Sequence, residues 1–121
     1  MDRKALIREY KETERPMGVY QVRNTMNGKV FVGSNTDLRA ILNRHQAQMR
    51  LGVHPSKELL KDWKEFGQEA FAFETLDTLK LPDNQPDYDP RNDLTVLEKL
   101  WLEKLSPYDE RGYNEKAKAS P

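Results

Sequence analysis

Two short runs rich in β-branched and aromatic residues, 17–24 and 29–33, flank Asn27-Gly28, the pattern of two strands joined by a tight turn. With Asn27-Gly28 as the whole loop, Met26 faces Lys29, Asn24 faces Phe31 and Val22 faces Gly33. Period-two alternation then sets Tyr20, Val22, Phe31 and Gly33 on one face. Downstream the apolar period lengthens to that of a helix. Leu38, Ile41, Leu42, His45 and Met49 form a stripe over about 37–51, with Thr36 or Asp37 as cap and Gly52 as stop. Leu59, Leu60, Trp63 and Phe66 form a second over 55–66, with Pro55 in the first turn and Gly67 just beyond. Residues 70–79 read as a third strand with Phe71 and Phe73 on one face, and the proline- and aspartate-rich 80–91 as a solvated loop. A last stripe, Leu94, Leu97, Trp101 and Leu105, predicts a helix over about 93–105, capped by Asn92 or Asp93 and halted before Pro107. Ahead of the hairpin, Leu6, Ile7 and Tyr10 predict an accessory helix over 2–13, stopped by Pro16.

Runs of strand and helix in this order give an α+β domain, and 121 residues suffice for one such domain with a modest core. The expected division is an N-terminal helix in 1–15, the domain in 16–115 and a tail in 116–121. Twenty basic and twenty acidic residues balance, so any electrostatic signal lies in their distribution. Residues 38–57 contain no acidic side chain but hold Arg39, Arg44, Arg50, Lys57 and two histidines. Such a stretch suits tracking of a DNA backbone, and equally describes a solvated helix face. The absence of cysteine excludes disulfides, thiolate metal sites and a cysteine nucleophile, leaving oxygen and nitrogen chemistry. No apolar run approaches the roughly 20 residues of a membrane span, and the charged first residues lack a signal-peptide core, so a cytoplasmic protein without membrane association is expected.

One carboxylate breaks the pattern: Glu98 falls in the middle of the last apolar stripe. Burying it unpaired costs several kcal/mol, so it is paired, protonated, bound to a metal, or reaches solvent at the rim. His45, on the first helical stripe, is either a satisfied boundary residue or a functional group. His54 beside Pro55 fits a turn or cap, and Asn114 after Gly112 fits turn chemistry.

Gly18-Val19-Tyr20, Phe31-Val32-Gly33, Ser34, His45, His54, Glu98 and Gly112-Tyr113-Asn114 fall in the order and approximate spacing of the GIY-YIG nucleases, and the chain resembles that family over roughly 18–114. The likeness is greatest to catalytic domains of the phage intron homing endonuclease type. It implies a three-stranded antiparallel sheet with a central hairpin flanked by helices, and metal-assisted hydrolysis of DNA phosphodiesters. It further implies Tyr20 as the general base or its assistant, Glu98 as ligand of one Mg²⁺ or Mn²⁺, His45 near the scissile phosphate and Asn114 in support. Arg39, Arg44, His54 and Lys57 become candidate substrate contacts. A homo-oligomer, or a partner protein supplying DNA specificity, is the expected assembly, with the leading helix as a possible contact.

Two positions depart from the family pattern. Phe31 stands for its second tyrosine, and Ile41 for an arginine four residues before the histidine. The first change deletes a hydroxyl and the second a guanidinium clamp on phosphate. Arg44, three residues on, is a candidate replacement, its Cα rotated by roughly 60° about the helix. Cleavage is therefore expected to be weak or lost. The alternatives are an active divergent endonuclease using Tyr20, His45, Glu98 and Arg44, and a non-catalytic interaction module.

Overall fold

The computed structural model describes residues 16–80 and 87–115, so the expected leading helix and tail lie outside the described residues. Three antiparallel strands, β1 (Met17–Asn24), β2 (Val30–Asn35) and β3 (Phe71–Leu79), form one sheet in the order β2-β1-β3. Helices α1 (Leu38–Leu51) and α2 (Lys57–Phe66) follow β2, and α3 (Arg91–Leu105) follows β3. The α+β architecture is that expected from the residue pattern.

The faces of the hairpin are as expected, but its register is not. Tyr20 pairs with Gly33 and Val22 with Phe31, a slip of two residues. Because two residues is one full strand period, the same side chains share a face while their partners change. The cause is a longer loop. The Asn24 N–H bonds the Lys29 carbonyl at 2.9 Å, leaving residues 25–28 to turn. Asn24 is buried; its Oδ1 accepts from the Met26 N–H at 2.9 Å and its Nδ2 donates to the Tyr113 hydroxyl at 3.1 Å. Tyr113 in turn donates to the buried Asp62 at 2.7 Å, a carboxylate that also accepts from Asn27 at 3.3 Å. The loop is thus tied to α2 and to the C-terminal segment by side chains distant in sequence.

Each face of the sheet buries a separate cluster. On one, Val22, Phe71 and Ala70 pack with Met49 of α1, Leu59 of α2 and Tyr113, joined by Phe31, Trp63 and Phe73. On the other, Val19, Val30 and Val32 pack against Leu97, Trp101, Leu102 and Leu105 of α3. At the centre, Gly18 has φ 156° and passes so close to the Asp77 carbonyl that a Cβ would collide with it. The register between β1 and β3 then skips at Val19/Tyr20, leaving Leu76 as an extra residue and re-aiming Tyr20.

Asp37 caps α1, its Oδ1 accepting from the Ala40 N–H at 3.1 Å, and Gly52 ends it in the left-handed conformation. α2 begins at Lys57 under Ser56, so Pro55 precedes the helix and is not in its first turn. α3 begins earlier than expected, at Arg91 behind Pro90, where Asp89 accepts from the Arg91 N–H at 3.0 Å in place of a cap at Asn92 or Asp93. The outer edge of β2 is covered by the C-terminal segment. Gly112 bridges Val30, and the Asn114 amide accepts from the Val32 N–H and donates to its carbonyl, each at 2.8 Å. One side chain there makes the pair of bonds that another strand would make.

Candidate active site

Beyond Val32 the edge of β2 is where both faces meet. Tyr20 projects on the α1 side and lies over Gly33, where a Cβ would stand 2.5 Å from the phenol oxygen. Ser34, next along β2, lies on the α3 side with Val30 and Val32, and its hydroxyl exerts a lowering influence on the Glu98 pKa. The Tyr20 ring thus fills the space over Gly33, and the charge of Glu98, from the other layer, acts on the same phenol. The buried Tyr20 hydroxyl is held above its ordinary acidity range, first by desolvation and then by the negative charge of Glu98. Glu98 is half-buried, and desolvation raises its pKa against the lowering effect of Ser34. The half-buried carboxylate thus takes a place between the buried and rim positions considered from the helical stripe.

The helical histidine is brought to the same tyrosine. His45, buried on α1, lies 2.7 Å by Nε2 from the Tyr20 hydroxyl, and its Nδ1 lies 2.7 Å from Nε2 of the buried His54. The Ser56 N–H donates to His54 Nδ1 at 3.0 Å, while the Ser56 hydroxyl accepts from the Leu59 N–H to start α2. His54 is both turn residue and site residue. Burial, the neighbouring His54 and the charge of Arg44 lower the pKa of His45 to about 4, and burial lowers that of His54, so both rings are neutral near pH 7. Phe31 walls this chain, with ring centroids 5.3 Å from His45 and 6.5 Å from Tyr20, and edge-on to His54 at 6.0 Å.

Ile41 is half-buried one turn before His45. Arg39, Arg44 and Lys57 are exposed, and of these Arg44 is near enough for its charge to be felt at His45. Lys57 borders a cavity of about 880 Å³ that opens beside Phe31, His54, Tyr113 and Asn114. Asn114 holds the Val32 main chain with its amide and so shapes the strand edge, while it also lines this cavity. The linked rings of His45 and His54, and the part played by the Ser56 main chain, leave no mark in the linear pattern. The nearest signal is that His45 and His54 both fall in the order and spacing of the family pattern.

Among the described residues no three His, Asp or Glu side chains converge on a metal position, and Glu98 belongs to none of the ion pairs Arg23–Glu74, Lys29–Glu58 and Arg91–Asp89. A half-buried carboxylate with uncompensated charge fits a cation that takes one protein oxygen and fills its shell with water and substrate oxygens, the habit of Mg²⁺.

The space over Gly33 is open to a direct test. In Gly33→Ala the new methyl displaces the phenol ring from its bond to His45. The expected result is a loss of roughly 1–3 kcal/mol in urea unfolding, with the Tyr20–His45 bond broken in the folded protein. Unchanged stability and an intact bond would show that space to be dispensable.

No family model matches the chain. The catalytic domain of intron endonuclease I-TevI, in two solved structures of which one is a mutant, matches with a TM-score of 0.67 in each, at 27% and 28% identity. The two alignments cover 87% and 84% of this chain and 97% and 99% of that domain. Intron-associated endonuclease 1 of Enterobacteria phage T4 is 38% identical over 50 residues, 41% of this chain. The match spans about a fifth (20%) of that relative's length.

Proposed function

For a chain of the GIY-YIG nuclease type, we propose slow, divalent-metal-dependent hydrolysis of DNA phosphodiesters between Tyr20 and Glu98. The observation that carries this reading is the run of 2.7 Å bonds ending on the Tyr20 oxygen, with Glu98 acting electrostatically on the same group. His45 holds the phenol in place from within. Tyr20 orients the attacking water and, in the small fraction ionised against its raised pKa, accepts the water's proton, in keeping with slow turnover. Glu98 is the residue that would hold the cation, whose charge would stabilise the phosphate and leaving oxygens. Phe31 excludes water from the histidine side but offers the phosphate no hydroxyl. Arg44 is the cation on α1 placed to meet a phosphate, and as an exposed side chain it grips less firmly than a bidentate clamp built into the site.

A second reading is DNA binding without turnover, favoured by Phe31 and Ile41, which present an aryl ring and an alkyl group where phosphate would be gripped. Incubation with supercoiled plasmid separates the two. Slow nicking is expected with Mg²⁺ or Mn²⁺ and none in chelator. No nicking at any metal concentration, with DNA affinity that falls steeply as salt rises, would establish the second reading. A flat salt dependence would argue against nucleic acid as the ligand.

A further inference from the structure

We infer that His54 is a positioning residue for Tyr20, acting through His45 in a hydrogen-bond chain whose direction is set by the main chain at Ser56. A backbone N–H can only donate. The bond from Ser56 N at 3.0 Å therefore requires a lone pair on His54 Nδ1, which places the His54 proton on Nε2. That Nε2–H points at His45 Nδ1, 2.7 Å away, which must accept. A neutral imidazole accepting at Nδ1 carries its proton at Nε2, and His45 Nε2 lies 2.7 Å from the Tyr20 oxygen. Every donor in the chain thus points toward the phenol. Burial of both rings, which favours their neutral forms, is consistent with this order.

The chain donates to Tyr20 and takes no proton from it. A proton entering at His45 would have to emerge on His54 Nδ1, against the Ser56 N–H. The Tyr20 O–H is accordingly turned away from the histidines. On ionisation the O–H bond breaks, its electron pair stays on oxygen and the proton passes to a water on the side away from His45. His45 keeps its Nε2 proton and bonds to the phenolate, so the histidines stabilise the base without being its proton acceptor. A histidine acting as base toward Tyr20 would need the opposite tautomer.

This inference rests on the nuclease reading for its catalytic meaning, yet its geometry can be measured without turnover. In the full chain with ¹⁵N-labelled histidine near pH 7.5, both His45 and His54 are expected as Nε2–H tautomers by their imidazole nitrogen shifts. His54→Leu, which cannot donate, should leave His45 a mixture of tautomers, whereas His54→Gln, whose amide can donate, should restore Nε2–H. Where cleavage is measurable, the leucine variant should be slower by about tenfold, the worth of one hydrogen bond, with recovery in the glutamine variant. A His45 proton on Nδ1 in the natural protein overturns the inference even if DNA is cut. The expected tautomers in a protein that never cuts DNA uphold the chain and remove the nuclease reading instead.

Discussion

Glu98→Gln is expected to cut the nicking of supercoiled plasmid to a small fraction and to leave the fold standing. The amide occupies the volume of the carboxylate, so packing of α3 on Val19, Val30 and Val32 is undisturbed. What disappears is a half-buried negative charge that acts on the Tyr20 hydroxyl. Removing a desolvated charge costs the fold nothing and relieves it slightly, so the urea midpoint should hold or rise. Catalysis responds in the opposite sense, because a neutral amide is a poor ligand for a hard divalent cation. A loss on the order of 10²- to 10³-fold or more in rate is expected, the scale for deleting one preorganised electrostatic group. Nicking at the natural rate by the glutamine variant would rule out Glu98 as the metal-holding residue and with it the mechanism above.

The second large effect runs toward gain. Phe31→Tyr combined with Ile41→Arg should raise the nicking rate, by an amount on the order of 10²-fold if one preorganised donor's worth of stabilisation is regained. Phe31 already stands in ring contact with His45 and Tyr20, so the added hydroxyl enters a site whose rings need not move. The half-buried Ile41, one turn before His45, is the position on α1 from which a guanidinium reaches the same side as the phenol. The two changes act on one phosphate and should not combine as independent factors, which the single variants will show. Rates equal to the natural protein in the double variant, with unchanged stability, would mean that these positions do not limit turnover.

The parts of this site differ in how far they can be read along the chain. Tyr20, Phe31, His45 and Glu98 each lie within an element whose period is plain, so their faces follow from counting residues. Gly33 was legible as an opening in the sheet, but its partner was not. The loop after Asn24 is set by Tyr113, Asp62 and Asn27, which reach it from other elements and shift the pairing by two residues. Asn114 stood out as part of a triplet, whereas its use as a substitute strand for Val32 depends on how the C-terminal segment returns to the β2 edge. The start of α3 moved for a similar local reason, since Asp89 supplies the hydrogen bond expected from Asn92 or Asp93.

By itself the sequence determined the α+β class, the three strands, the residues sharing each hairpin face and the family likeness, because these depend on short-range periodicity and on residue types at fixed spacing. Only the tertiary structure decided that Tyr20 faces Gly33, that His45 and His54 are one hydrogen-bonded pair directed by Ser56, and that the charge of Glu98 is felt at the phenol. Those facts depend on register, helix packing and the geometry of donors and acceptors between elements far apart in the chain. A linear pattern gives the direction a side chain leaves its own element, and the packed fold alone selects what it meets.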